Sequence, residues 1–177
     1  FRLCPDGVYL RPDMKRYVQI SRKIREIFHT YTDVVEPLSI DEAFLDMSHA
    51  VHDSDSALEV ARSLKATILK EQRLTASIGI APNKFVAKIA SDIEKPEGLV
   101  LVSLPEVQSF LDPLAISRLW GVGPKTESKL VKMGTRRQHG ITPGIRHARN
   151  SLGSHQSFAL DAHTRSQTLA HVLHPLA

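Results

Sequence analysis

Apolar residues recur along the chain with the two periods that mark helices and strands. Pro12-Asp13 opens the first clear helix, in which Met14, Tyr17, Val18, Ile24, Ile27, Phe28 and Tyr31 fall on one stripe. Val34 and Val35 begin an extended run that meets Pro37, and Ala43 to Met47 reads as a second short strand. The pair predicts a hairpin turning at Ser39-Ile40-Asp41-Glu42. Ser56-Ala57-Leu58-Glu59 has capping-box spacing, with Ser at the N-cap, ahead of the stripe Ala57, Val60, Ala61, Leu64 and Ile68. Leu74 to Ile80 is a β-branched strand, Asn83 to Glu94 a helix with Val86, Ile89 and Ile93 on one side, and Gly98 to Val102 a buried-type strand. With a short strand at Val8-Tyr9-Leu10, this order predicts an α+β fold, a mixed β-sheet with helices on one face.

After Pro105 the pattern changes to short helices, with Pro113 as a boundary. Gly121-Val122-Gly123-Pro124 is a tight turn and Lys125 to Met133 a helix. Beyond Gly134 the chain is rich in Arg, His, Ser, Thr and Gln. Leu169, Val172, Leu173 and Leu176 have helical spacing there, interrupted by Pro175.

A length of 177 residues suits one or two domains, and 42% hydrophobic residues suffice for a core. No apolar run approaches the ~20 residues that span a bilayer, and no signal-peptide pattern opens the chain. Phe1 stands where an initiator Met is usual, and the first residues read as the end of an element, so the start is expected to be missing. A single cysteine, Cys4, excludes a disulfide framework and predicts a reducing compartment. The net charge of +4 hides an asymmetry: residues 1–114 hold 14 Lys+Arg against 17 Asp+Glu, and residues 115–177 hold 9 against 2. A basic back suits a polyphosphate partner such as nucleic acid, and equally a solubilised surface.

Three stretches carry candidate chemistry. Asp41 and Glu42 are adjacent carboxylates at a bend, where both can reach one divalent ion. Hard cations such as Mg²⁺ take oxygen ligands, and phosphoryl transfer commonly uses two of them. Two carboxylates are few for such a site; Asp46 and Asp33 are candidates for a third, and a solvated acidic turn is the plain alternative. Lys84 and Lys88 lie one turn apart near a helix start, with Lys95 at its end. Cations there run against the helix dipole, which admits an anionic partner, with ordinary surface lysines as the plain alternative. Trp120-Gly121-Val122-Gly123-Pro124-Lys125 is a glycine hairpin opening a helix that also bears Lys129 and Lys132. Its amides can approach a phosphate, or it can be a plain interhelical turn. It lacks the glycine spacing and Lys-Ser/Thr of a Walker loop. Six of the nine histidines lie between His139 and His174, without metal-site spacing, and read as part of a solvated tail.

In this order the stretches resemble the Y-family of translesion DNA polymerases, most closely the bacterial DNA polymerase IV type. Ser39-Ile40-Asp41-Glu42-Ala43-Phe44-Leu45-Asp46 is similar to the family's palm motif. Gly79 to Asp92, with Lys95-Pro96-Glu97-Gly98 after it, is similar to its second palm motif. Leu119 to Lys125 resembles the helix-hairpin-helix of its thumb, and Val8-Tyr9-Leu10 before the first helix is similar to the family's return from fingers to palm. The resemblance covers roughly Leu3 to Gly134. It implies the end of the fingers at 1–7, an incomplete palm at 8–102, a thumb at 103–134 and a divergent basic tail at 135–177, poorly ordered or frame-shifted.

By the same resemblance, Asp41 would ligate both of two Mg²⁺ ions and Glu42 the ion near the primer 3′ hydroxyl. Lys95 would contact the incoming deoxynucleoside triphosphate. Gly121, Val122 and Gly123 would donate amides to a DNA phosphate, with Lys125 and Lys129 behind them. The implied activity is template-directed extension of a primer during damage bypass, by a cytoplasmic monomer with no membrane association. Primer–template DNA would be its partner, and in the intact family a sliding clamp as well, although no clamp-binding tail is recognisable. The family's opening strand, with its own metal-binding Asp and steric gate, has no counterpart here, nor does the fingers motif that grips the triphosphate. The expectation is therefore a fragment, inactive alone, with apolar surface left open where that strand would pair. A non-catalytic DNA-binding hairpin module and an inactive remnant are the alternatives.

Overall fold

The computed structural model describes residues 3–137 and the backbone of 168–174. Helix α1 spans Met14–His29, and the carboxylate of its N-cap Asp13 accepts the Arg16 amide at 3.0 Å. Strands β1 (Val35–Pro37) and β2 (Glu42–Asp46) form the expected antiparallel hairpin, with Val35 opposite Leu45. Helix α2 spans Ser54–Gln72 and starts earlier than the sequence suggested. Its N-cap is Asp53, and Ser56 is the third helical residue, closing a reciprocal box with the Asp53 carboxylate. Both Asp53 and Ser56 carry oxygens suited to capping, and the one in extended conformation took the role. Strand β3 is Thr75–Ala81, α3 Lys84–Ile93 with Asn83 as N-cap, and β4 Leu99–Leu101. Two 3₁₀ turns and the short helix α4 (Val107–Leu111) lead to α5 (Pro124–Lys132). Val8-Tyr9-Leu10 is not a strand; its residues are exposed and unladdered.

The last strand, β5, is Thr168–His174. It enters the middle of the sheet, whose order is β1-β2-β5-β3-β4. It runs antiparallel to both neighbours, along all of β2 (Ala43 opposite His171) and all of β3 (Ile78 opposite His171), while β3 and β4 are parallel. The helical spacing of Leu169, Val172 and Leu173 is thus overridden, and this part of the expected loose tail is sheet backbone. Neither β2 nor β3 is left with an open edge. The remainder of the tail, including His139, His147, His155 and His163, lies outside the described residues.

Alternation along the strands sorts side chains into two cores. Ala43 and Leu45 of β2 and Ala76, Ile78 and Ile80 of β3 pack with Ile24, Ile27 and Phe28 of α1 and Ala57, Ala61, Leu64 and Ile68 of α2. Phe44 and Ala81 face the other way, onto Val86, Ala87, Ile89 and Ala90 of α3, with Val102 and Leu111 beyond. The α+β class holds, but the expectation of helices on one face describes α1 and α2 only; α3 lies on the opposite face. Gly79 makes that second layer feasible. A Cβ there would sit 2.1 Å from the Ala87 carbonyl oxygen and 2.5 Å from the Ser91 amide nitrogen. No helix among the described residues is long and apolar enough to cross a membrane.

The close approach at Gly79 is directly testable. Gly79→Ala must push α3 off the sheet, a backbone displacement rather than a rotamer change, and should cost about 2–3 kcal/mol. Urea unfolding of the two proteins measures it; an unchanged midpoint would show that α3 does not rest on β3.

Candidate active site

The carboxylate turn is built by short-range bonds. The Leu38 and Ser39 amides both donate to the Glu42 carbonyl, at 2.9 and 3.2 Å, closing the hairpin. The Ser39 hydroxyl donates to the Asp41 carboxylate at 2.6 Å and accepts the Asp41 amide at 3.3 Å. Ser39 therefore shapes the bend and orients Asp41, whose side chain is exposed. Glu42 is the first residue of β2 and shares the sheet face of Phe44, so it looks toward α3.

There it meets Lys88. The Lys88 ammonium lies 3.2 Å from Glu42 and 2.7 Å from Asp92, and its side chain is only 9% exposed. Lys95 pairs with the other oxygen of the same Asp92. The four groups form a chain, Glu42–Lys88–Asp92–Lys95, that ties the carboxylate turn to the lysine at the far end of α3. Burial pushes the Asp92 carboxyl up, but hydrogen bonds and charge from Lys88 and Lys95 outweigh it and hold the group below the usual aspartate value of 3.8. Lys84 pairs with Glu36 of β1, its ammonium 5.8 Å from the centroid of the Phe44 ring. The anionic partners that the placement of Lys84 and Lys88 called for are thus carboxylates of the chain itself.

The sequence separations explain what was readable here. Lys88–Asp92 and Asp92–Lys95 are one helical turn apart and visible as spacing. Glu42–Lys88 bridges distant elements and had no local signal. Asp46 is no third ligand: it stands at the opposite end of β2, where it accepts the Ser48 amide at 2.9 Å. Asp33 is exposed in the loop before β1. Among the described residues no three His, Cys, Asp or Glu side chains are grouped to hold an ion. Asp41 and Glu42 therefore do not fit a two-ion centre unaided, and Glu42 already has an ammonium beside it.

The glycine hairpin follows Trp120 and opens α5. Gly121 has φ +89°, a left-handed conformation that favours glycine, and the space beside Gly121 and Gly123 is open. The Val122 amide donates to the Leu119 carbonyl at 3.0 Å, so of the three expected phosphate donors it is engaged internally. The Gly121 and Gly123 amides have no acceptor among the described residues. Lys125 and Lys129 are exposed on α5. Trp120 anchors the hairpin to the sheet by an edge-on contact with Phe44, ring centroids 6.0 Å apart. That contact joins residues far apart in sequence and was missed.

Residues 1–92 match the impB/mucB/samB family, and residues 105–135 match the helix-hairpin-helix motif of the same family. The chain belongs to the impB/mucB/samB family. DNA polymerase IV of Xanthomonas euvesicatoria pv. vesicatoria is 51% identical over 133 residues, which are 75% of this chain and 37% of that protein. The chain thus spans little more than a third of the length of the curated relatives it matches. A DinB-family error-prone DNA polymerase from Sulfolobus solfataricus superposes with a TM-score of 0.75 at 33% identity, over 79% of this chain and 42% of the other. The insertion ternary complex of Dbh DNA polymerase gives 0.73 at 33% identity, over 79% and 41%. The Y-family, polymerase IV type resemblance read from the sequence is what these likenesses show.

The chain of charges predicts a pH signature for this family member. Because the folded Asp92 carboxyl titrates below its usual value, its contribution is complete above about pH 5 and lost as pH falls through the acid range. Asp92→Asn should therefore destabilise by about 1 kcal/mol at neutral pH, as for a partly exposed pair in a network. The difference should shrink below pH 4. Thermal melts of both proteins from pH 3 to 7 test it; a difference that grows toward acid would reverse the sign and sink the reading.

Proposed function

We propose that this chain carries the carboxylate turn of the palm and the phosphate-gripping hairpin of the thumb of a template-directed translesion DNA polymerase. Residues 8–102 form the palm part and 103–134 the thumb part, with 1–7 the end of the fingers. One observation supports this above the rest. Asp41-Glu42 and the glycine hairpin, each too common to identify a function alone, are fixed on one scaffold through the Phe44–Trp120 contact.

Asp41 and Glu42 are the catalytic carboxylates, and Lys95 is the group for the triphosphate of an incoming nucleotide. Gly121, Gly123, Lys125 and Lys129 are the contacts to a DNA backbone. Such contacts read charge and shape rather than sequence. The reaction class is attack of a primer 3′ oxygen on the α-phosphate of a deoxynucleotide, in DNA damage bypass, in the cytoplasm. The two Mg²⁺ ions of the family need more carboxylates than the described residues bring together. A likeness to a solved ternary polymerase complex supports DNA and nucleotide as partners.

Two outcomes follow. Purified chain supplied with primer–template, nucleotides and Mg²⁺ should give no extension product on a sequencing gel; a single added nucleotide would refute the incomplete site. Fluorescence anisotropy with duplex primer–template should show binding that weakens steeply with salt. Lys125→Ala with Lys129→Ala should lower the salt slope by about 2. Absence of binding at low salt, or binding indifferent to both substitutions, would remove the thumb assignment.

A further inference from the structure

Strand β5 stands in an unusual place for a segment from the far end of a chain. It is the central strand, paired along all of β2 and all of β3. Remove it, and the sheet divides into the hairpin β1–β2 and the parallel pair β3–β4, with both faces of the gap lined by unpaired amides and carbonyls. Each such group, once buried without a partner, loses its hydration with nothing in exchange. The gap would run beside Glu42, which stands opposite Val172. Strand β2 then keeps only the short β1 as a neighbour.

We infer that Thr168–His174 is a self-complementing strand, which fills a strand-accepting slot between β2 and β3 and closes it to any other strand. The slot takes an antiparallel segment in the register that sets Ala43 and Ile78 opposite His171. The segment that fills it, Thr-Leu-Ala-His-Val-Leu-His, contains no carboxylate. It completes the sheet beside Glu42 without adding a third carboxylate to Asp41 and Glu42. Attachment to the same chain decides the occupant: a tethered strand pairs within its own molecule, independently of protein concentration, whereas a strand from a second copy must be captured from solution.

A cysteine trap tests this in the full chain. Directly opposed antiparallel residues have Cα atoms about 4.5–5.5 Å apart, within the roughly 4.4–6.8 Å that a disulfide spans. Asp46 and Thr168 are such a pair. In a Cys4→Ser background, Asp46→Cys with Thr168→Cys should oxidise in native buffer to a crosslink within one chain, and fail to do so in urea. No crosslink, or crosslinks only between chains, would overturn the inference.

The second measurement is hydrogen exchange of Ala170→Pro, since proline in a central strand removes a ladder donor and breaks the pairing. Amide protection across Glu42–Asp46 and Thr75–Ala81 should fall at least tenfold. Unchanged protection would show that β2 and β3 do not depend on β5. If Ala170→Pro fails to fold, the crosslink decides.

Discussion

The five residues of β2 feed two different cores, and the register that results fixes most of what surrounds it. Ala43 and Leu45 are drawn into the layer under α1 and α2, where both are fully buried. The strand period of two then leaves Glu42 and Phe44 no choice but the opposite face. There Glu42 meets Lys88 and Phe44 meets Trp120. A slip of one residue would bury the carboxylate in the aliphatic layer and turn Leu45 toward α3, a change no side-chain motion can repair. The site is thus positioned by the burial of its apolar neighbours rather than by its own polar bonds.

Burial also explains how charge is distributed. An ammonium as enclosed as that of Lys88 loses most of its hydration, and only close carboxylates make that tolerable. Glu42 and Asp92 supply them from two elements. Lys84 and Lys95 are paired as well, so the lysines on and just after α3 are neutralised within the chain. Lys125 and Lys129 of α5 have no ion pair among the described residues and are exposed. Their charge is therefore available to a polyanion on the helix that follows Gly121 and Gly123, where the space is open.

What was legible in the sequence was whatever depends on neighbours within a few residues. The β1–β2 hairpin, the helices α1 and α3, and the turn at Gly121 all follow from local spacing and turn chemistry. The start of α2 was misplaced because Asp53 and Ser56 both satisfy capping rules and only backbone conformation separates them. The two-sided sheet was not legible, since Gly79 carries no pattern that says which face a helix will take. Asp92 and Lys88 were visible as a helical pair, yet their tie to Glu42 needed the sheet to exist first. Phe44 and Trp120 are each ordinary core aromatics by pattern, and their contact is a product of tertiary packing.

Strand β5 shows a deeper limit. A run of seven residues with Leu, Val and Leu at mixed spacings satisfies helix and strand templates alike, and the flanking Pro175 tips the reading toward an interrupted helix. Two strands already in place change the balance, because a segment between them gains ladder hydrogen bonds on both sides whatever its side chains. Sheet completion is a demand on backbone, which many sequences meet. Catalysis by grouped carboxylates is a demand on particular side chains, which the sequence of β5 does not meet. The two requirements separate in this chain: β5 closes the sheet between β2 and β3, while among the described residues no third carboxylate joins Asp41 and Glu42.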